Sequence, residues 1–313
     1  MKAQEGSVRR ALKPTKWVLA CVLMVVWAVP FVAAQVAFDA DTNPELASQF
    51  IISPQVSAQH YMVSSANPLA SQAGFDILRR GGGAIDAAIA TQLVLNLVEP
   101  QSSGIGGGAF IVYYDRLNDK LVTYDGRETA PTGVSDAMFL NAEGQLEGYH
   151  QAVNSGLSVG VPGLLRVLEL AHQKHGLLPW EQLFEPAIQL AEKGFPVSGR
   201  LHYMLEHSRG LREQAATRAY FFAPDGQPWP VGHILKNPEF AHVLKRVAAE
   251  GPDAFYTGDV AAAIVDAVQN HERPGTLSLD DLANYQALER SPLCGQYRVY
   301  TVCGVGPPSS GTL

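Results

Sequence analysis

The sequence has few charged residues, and it has no excess of basic ones. Charged residues make up 17% of the 313 positions, and the formal net charge at pH 7 is −7. Five of the 23 basic and one of the 30 acidic residues lie in the first 34 positions, which leaves 18 basic and 29 acidic residues, a net charge of −11. This charge disfavours a surface for nucleic acids or anionic membranes and is typical of a soluble, secreted or periplasmic protein.

Cysteine is scarce as well. The three cysteines are Cys21, Cys294 and Cys303, and none has the spacing of zinc ligands, so a zinc site is not expected. Cys294 and Cys303 lie near one predicted β-hairpin. An exported protein favours a disulfide between them, but nine residues along an extended hairpin can separate them too far. The sequence leaves their pairing open.

One apolar run approaches the length of a membrane span, from residue 17 to residue 34. It follows a basic segment, is broken by Pro30, and ends with Val32 and Ala34 at the −3 and −1 positions of a cleavage site. These features predict a signal peptide at residues 1–34, in preference to an uncleaved membrane anchor. Residues 35–60 are predicted to be a linker or surface arm.

The remaining residues, 61–313, are predicted to form the folded region, and their hydrophobic patterns mix helical with extended periods. Helices are predicted at 68–80, 84–98, 162–175, 180–193, 238–250 and 279–285. The helix at 84–98 is apolar on nearly all sides, which indicates deep burial. Strands are predicted at 110–114, 120–124, 287–293 and 297–302, of which the first two form a hairpin.

That hairpin points at Arg127, which stands between Asp125 and Glu128 in the run YDGRETAP. The preceding Gly126 permits a tight bend, and an arginine held at a strand end is well placed for bidentate recognition of a carboxylate. The alternative is a local ion pair that only fastens the loop, which is the commoner role of a surface arginine. Composition alone favours that alternative.

Three further patterns resemble functional motifs. Residues 104–109 nearly match a dinucleotide fingerprint, but a helix precedes them and a strand follows, so a close helix-to-strand crossing is expected instead. Ser158 is centred in a G-x-S-x-G pattern without the buried strand that a nucleophile elbow requires. His172 and His175 are spaced for metal binding, but no third ligand is near, which favours an exposed helix face.

Taken in order, eight short segments resemble the γ-glutamyltransferase family, also called γ-glutamyl transpeptidase or glutathione hydrolase. Each segment is weakly specific alone, and the series covers residues 62 to 313. The matching segments are residues 62–68, 81–88, 96–100, 104–110, 125–131, 160–163, 251–256 and 307–311.

The resemblance implies an α+β fold of the N-terminal-nucleophile hydrolase class, an αββα sandwich made from one precursor that cleaves itself into two subunits. It implies that Arg127 binds the α-carboxylate of a γ-glutamyl group. The nucleophile implied is a threonine at the start of the small subunit, expected beyond Leu313, so no catalytic residue is assigned here. The chain is therefore expected to be a large-subunit fragment, with an incomplete sandwich and no activity alone.

The implied reaction is transfer of the γ-glutamyl group of glutathione or related compounds to water, amino acids or peptides. The resemblance implies no metal or organic cofactor, and it implies a small subunit from the same precursor as partner. Two alternatives remain: a secreted serine esterase that uses Ser158, and a non-catalytic periplasmic protein in which Arg127 holds an amino acid. A periplasmic or secreted location fits all three.

Overall fold

The structure is a computed structural model that describes residues 55–141, 143–208 and 210–311. The predicted signal peptide and most of the predicted arm at 35–60 lie outside the described residues. Residues 55–60 are exposed and lack regular structure. Among the helices of the described segments, none combines the length and the apolar character needed to cross a bilayer.

Helices and strands alternate irregularly along the described chain. The helices are α1 (Pro68–Arg79), α2 (Ala84–Val98), α3 (Tyr149–Val153), α4 (Leu164–His175), α5 (Glu185–Lys193), α6 (Gly199–Glu206), α7 (Ala215–Phe221), α8 (Pro238–Glu250), α9 (Asp253–Tyr256), α10 (Gly258–Gln269) and α11 (Leu279–Asn284). The strands are β1 (Ala109–Asp115), β2 (Lys120–Gly126), β3 (Phe195–Pro196), β4 (Ile234–Leu235), β5 (Leu288–Arg290), β6 (Leu293–Tyr297) and β7 (Tyr300–Gly304). This mixture agrees with the predicted α+β class.

The first two helices begin and end where the sequence predicts. The side chain of Asn67 accepts a hydrogen bond from the Leu69 amide and caps α1, whose first residue is a proline. Helix α2 buries eleven of its fifteen residues, as its nearly continuous apolar sequence predicts. Asp86 accepts a hydrogen bond from the Gly83 amide at 2.8 Å, which closes the N-terminus of α2.

The sheet that leads to Arg127 has the order β1–β2–β5, and all its pairs are antiparallel. One face packs on α4, where Gly126 lets β2 approach Val167 closely. The opposite face carries Val112, Tyr114 and Leu288, each about half exposed. The β1–β2 hairpin is therefore anchored from one side and presents apolar side chains on the other.

Two predicted elements are wrong in extent. The predicted helix at 180–193 is a 3-10 turn at Trp180–Leu183 followed by α5. Pro186 explains the break, because its missing N–H cannot bond to the carbonyl four residues earlier and its ring would clash there. The predicted strand at 287–293 ends at Arg290, because Pro292 interrupts the ladder.

The predicted strand at 297–302 also has the wrong bounds, because its first residues belong to β6 and to the turn before β7. The chain turns at Arg298, which adopts a positive φ of 57°, so that β6 pairs with β7 and Cys294 faces Cys303. Their Cα atoms are 4.1 Å apart, and the two residues form a disulfide. The pairing that the sequence leaves open is therefore present, because the hairpin turns midway between the two cysteines.

We expect the double variant Cys294→Ser/Cys303→Ser to destabilise this hairpin by up to about 2.5 kcal/mol, the chain-entropy value for a loop of roughly ten residues. Most side chains of β6 and β7 are exposed, so few packing contacts replace the cross-link. Hydrogen exchange of the amides of residues 293–304 measures the effect, with the exchange of α2 as internal reference. Equal protection in variant and parent, or free thiols at both positions in the parent protein purified without reductant, contradicts this expectation.

Candidate ligand-binding site around Arg127

The end of β2 delivers Arg127 to the surface. A Cβ at Gly126 would lie 2.4 Å from Cβ of Val167, so glycine is required for the strand end to press against α4. The chain then leaves the sheet, and the side chain of Arg127 is 60% exposed. The guanidinium is consequently accessible to a ligand, whereas the strand end that precedes Arg127 packs against α4.

The backbone amide and the backbone carbonyl of Arg127 both form hydrogen bonds. Its amide donates to Asp125 Oδ1 at 2.9 Å, and Asp125 Oδ2 accepts a hydrogen bond from Arg290 Nε at 2.7 Å. Its carbonyl accepts a hydrogen bond from the Tyr285 hydroxyl at 2.6 Å. The backbone of Arg127 is thus held directly by Tyr285 and, through the carboxylate of Asp125, by Arg290.

Tyr285 is a hydrogen-bond donor at neutral pH. Burial of its ring, together with the negative charges of Asp125 and Glu128, raises the pKa of Tyr285 to about 12. The phenol therefore stays protonated, and its proton is available for the Arg127 carbonyl.

Glu128 is packed between two glycines beside the guanidinium. A Cβ at Gly108 would lie 2.8 Å from Glu128 Oε2, and one at Gly160 would lie 3.1 Å from Glu128 Cβ. Glu128 Oε2 lies 3.2 Å from Arg127 Nε, yet this buried oxygen accepts no hydrogen bond from the described residues. The contact is therefore an electrostatic ion pair between neighbouring residues.

Glu128 also lines a cavity of about 450 Å³ formed with the loop between α2 and β1. This volume lies in the range of small-molecule sites. Its polar lining side chains are Gln92, Glu99, Ser102, Ser103 and Glu128. The exposed guanidinium of Arg127 is next in sequence to this cavity-lining carboxylate, and such a guanidinium suits a small ligand that carries a carboxylate, as an amino acid does.

Residues 104–109 form the close crossing that the sequence predicts. The carbonyl of Gly107 accepts hydrogen bonds from the amides of Gly163 and Leu164, both at 3.0 Å. A Cβ at Gly108 would lie 2.5 Å from the Gly126 carbonyl oxygen. The glycines therefore allow the loop to contact the strand end and the N-terminus of α4. The element that follows the motif is the strand β1 and not a helix whose N-terminus could bind a nucleotide phosphate.

Ser158 does not have the surroundings of a nucleophile. It ends a 3-10 turn, Gly156–Ser158, and its hydroxyl donates to the carbonyls of Val153 and Ser155 at 2.9 and 3.1 Å. A nucleophile elbow instead places the serine between a strand and a helix, with its oxygen beside a base. The esterase alternative finds no support in this geometry.

The two histidines of α4 are half-buried, so the expected exposed face is wrong for them. Nε2 of His175 lies 2.6 Å from the Tyr124 hydroxyl, and its ring stacks on Tyr113. Burial lowers the pKa of His175. Nε2 of His172 contacts the Leu178 carbonyl at 2.8 Å. Across the segments that the structure describes, no three His, Cys, Asp or Glu side chains are grouped to hold a metal.

A family model described as Gamma-glutamyltranspeptidase matches residues 70–313, a stretch that includes Arg127, Glu128 and Tyr285. The chain belongs to the gamma-glutamyltranspeptidase family. This membership confirms the resemblance that the eight sequence segments indicate, and it gives the chain the fold of the N-terminal-nucleophile hydrolases.

Relatives and solved structures of the gamma-glutamyltranspeptidase family agree. The chain is 38% identical over 294 residues to the glutathione hydrolase proenzyme of Bacillus subtilis (strain 168), covering 94% of this chain and 48% of that protein. It is 36% identical over 258 residues to the glutathione hydrolase proenzyme of Escherichia coli (strain K12), covering 82% and 44%. The chain thus spans about half the length of the curated relatives it matches.

The crystal structure of Helicobacter pylori gamma-glutamyltranspeptidase superposes with a TM-score of 0.78 at 33% identity, covering 82% of this chain and 73% of that one. The enzyme from Pseudomonas nitroreducens, complexed with L-DON, gives a TM-score of 0.73 at 31% identity with the same coverage. The neighbours support the family fold, and they lend no support to the alternative of a non-catalytic amino-acid-binding protein.

Sequence reasoning within the gamma-glutamyltranspeptidase resemblance finds Arg127 and misses the residues that hold it. The capping box of Ser278 and Asp281 correctly locates α11, and Tyr285 follows that helix. No local signal, however, pairs Tyr285 with a carbonyl 158 positions earlier. The same holds for Arg290, whose partner Asp125 is 165 positions away.

Proposed function

We propose that Arg127 binds the α-carboxylate of a γ-glutamyl group, and that the complete protein transfers this group from glutathione or related compounds to water, amino acids or peptides. The observation on which the proposal rests is an accessible guanidinium on a backbone bonded at both of its peptide groups. Family membership and relatives named glutathione hydrolases support it. A guanidinium fork fits a carboxylate in two parallel hydrogen bonds.

The chemistry proposed is nucleophilic catalysis by a threonine of the small subunit, outside these 313 residues. Its hydroxyl oxygen attacks the γ-carbonyl carbon while its own α-amino group takes the proton. The proton then passes to the departing amine, which leaves a γ-glutamyl ester. Water or an acceptor amine breaks that ester. In this scheme Arg127 orients the donor through its α-carboxylate.

The proposed partner is a small subunit from the same precursor. The face of the β1–β2–β5 sheet opposite α4 exposes Val112, Tyr114 and Leu288, which water solvates poorly. An αββα sandwich packs two sheets face to face, and an apolar face of this kind suits a second sheet. The relatives' description as proenzymes fits a precursor that is processed.

We propose a periplasmic or secreted location, with residues 1–34 removed as a signal peptide. The disulfide between Cys294 and Cys303 supports this, because such bonds persist in oxidising compartments.

The isolated 313-residue chain is expected to release no product from a chromogenic γ-glutamyl anilide, whereas the complete processed protein releases it. The reason is that the proposed nucleophile belongs to the other subunit, and Arg127 binds without breaking bonds. Release of anilide is followed by absorbance in parallel reactions at equal concentration. Appreciable turnover by the isolated chain would place the nucleophile within it and overturn this division of roles.

A further inference from the structure

A late segment of the chain, residues 278–290, contacts the Arg127 region at three points, and we call it the brace. Asp281 Oδ1 accepts a hydrogen bond from the Thr132 amide at 3.0 Å. The Tyr285 hydroxyl donates to the Arg127 carbonyl at 2.6 Å. Strand β5 then pairs with β2 immediately before Arg127. The brace therefore contacts the chain before Arg127, at Arg127 and after it.

The hydroxyl of Tyr285 is held in place by packing. The residue is 7% exposed, and its ring lies parallel to that of Tyr256, with centroids 6.3 Å apart. A Cβ at residue 163 would lie 2.1 Å from Tyr285 Oη, so glycine there leaves the space that the hydroxyl occupies. The direction of the hydroxyl is thus set by buried neighbours, independently of any ligand.

We infer that the brace, through the Tyr285 hydroxyl, positions Arg127 for its substrate. The carbonyl of Arg127 belongs to the peptide group that joins Arg127 to Glu128. Its hydrogen bond therefore restrains the orientation of this peptide, which contains the Cα atoms from which both side chains extend. Tyr285 acts on the substrate through Arg127 and is a positioning residue. The inference rests on the proposed function, because it assigns to Tyr285 a part in γ-glutamyl binding.

Loss of the hydroxyl has a defined consequence. The Arg127 carbonyl would lose the donor that Tyr285 supplies, and the 127–128 peptide would gain rotational freedom. Ordering this peptide would then be required at each binding event, which weakens binding of donor and transition state alike. A change of this kind raises KM and leaves kcat nearly unaltered.

The test is Tyr285→Phe in the complete protein, with Tyr256→Phe as matched control. The Tyr256 hydroxyl also donates to a backbone carbonyl, that of Pro162 at 2.9 Å, and its ring stacks on Tyr285. Both variants lose one buried hydroxyl, so similar losses of thermal stability are expected. We expect KM for the γ-glutamyl donor to rise about tenfold in Tyr285→Phe, equivalent to about 1.4 kcal/mol, and to change less than about twofold in Tyr256→Phe.

An unchanged KM in Tyr285→Phe, or equal KM changes in both variants, overturns the inference and leaves Tyr285 a structural residue. If Tyr285→Phe does not fold, Arg290→Gln tests the brace at its other contact, since Arg290 holds the carboxylate that accepts the Arg127 amide. An unchanged KM there also overturns it. Absence of turnover in the unaltered complete protein would instead overturn the proposed function itself.

Discussion

Replacing Arg127 with lysine in the complete protein is expected to raise KM for a γ-glutamyl donor by roughly 10- to 100-fold. Lysine keeps the positive charge but cannot form two parallel hydrogen bonds with a carboxylate, and a charge-assisted hydrogen bond contributes about 1.5–3 kcal/mol. Arg127→Ala removes the charge as well and is expected to lower kcat/KM further. Initial rates over a range of donor concentrations measure both variants.

The matched control for Arg127→Lys is Arg79→Lys. Arg79 is equally exposed, with 63% of its side chain accessible against 60% for Arg127, and it also has one neighbouring carboxylate, Asp76. It lies on α1, where its contact is an i,i+3 pair, so its replacement is expected to leave KM within about twofold. Equal KM values for Arg127→Lys and the parent would reduce Arg127 to the loop-fastening role that composition alone favours.

Replacing Gly163 with alanine is expected to destabilise the protein by about 3 kcal/mol or more and to abolish donor binding at moderate concentrations. The backbone at Gly163 has φ −121° and ψ −10°, which alanine can adopt, so the effect is steric. The new Cβ would lie 2.1 Å from Tyr285 Oη and 2.2 Å from the Gly126 carbonyl oxygen. The methyl group would push apart the strand end and the residue that together fix Arg127.

Gly199→Ala is the control for this steric effect. Gly199 is the first residue of α6, follows the capping residue Ser198, and has no atom within 4 Å of the added Cβ. Alanine there is expected to be neutral or to stabilise by up to about 1 kcal/mol, because it favours the helix. Urea unfolding of the three proteins compares them directly. A Gly163→Ala variant as stable as Gly199→Ala would contradict the close packing of Gly163 against the Tyr285 hydroxyl.

The elements that the sequence predicts well are those whose signals are local. The apolar run of α2 requires burial on all sides, and the capping residues Asn67 and Ser278 mark helix starts through their own hydrogen bonds. The β1–β2 hairpin follows from two apolar segments and the turn between them, and it places Arg127 at a strand end. Arg127, the candidate ligand-binding residue, can therefore be predicted from the sequence.

The errors have two physical origins. At Pro186 and Pro292 the signal is present in the sequence, and the predicted elements run through residues that cannot donate a backbone hydrogen bond. The brace is different, because the contact of Tyr285 with the Arg127 carbonyl depends on how distant segments pack. Long-range contacts of this kind leave no periodicity or spacing in the chain, so the structure is needed to find them.

A crystal structure of the complete protein with a bound γ-glutamyl analogue tests the central claim most directly. The claim predicts that both terminal nitrogens of Arg127 lie about 2.8 Å from the two oxygens of the analogue's α-carboxylate. It also predicts that the Tyr285 hydroxyl still donates to the Arg127 carbonyl. An α-carboxylate held by other residues, with the guanidinium still turned to Glu128, would contradict the claim.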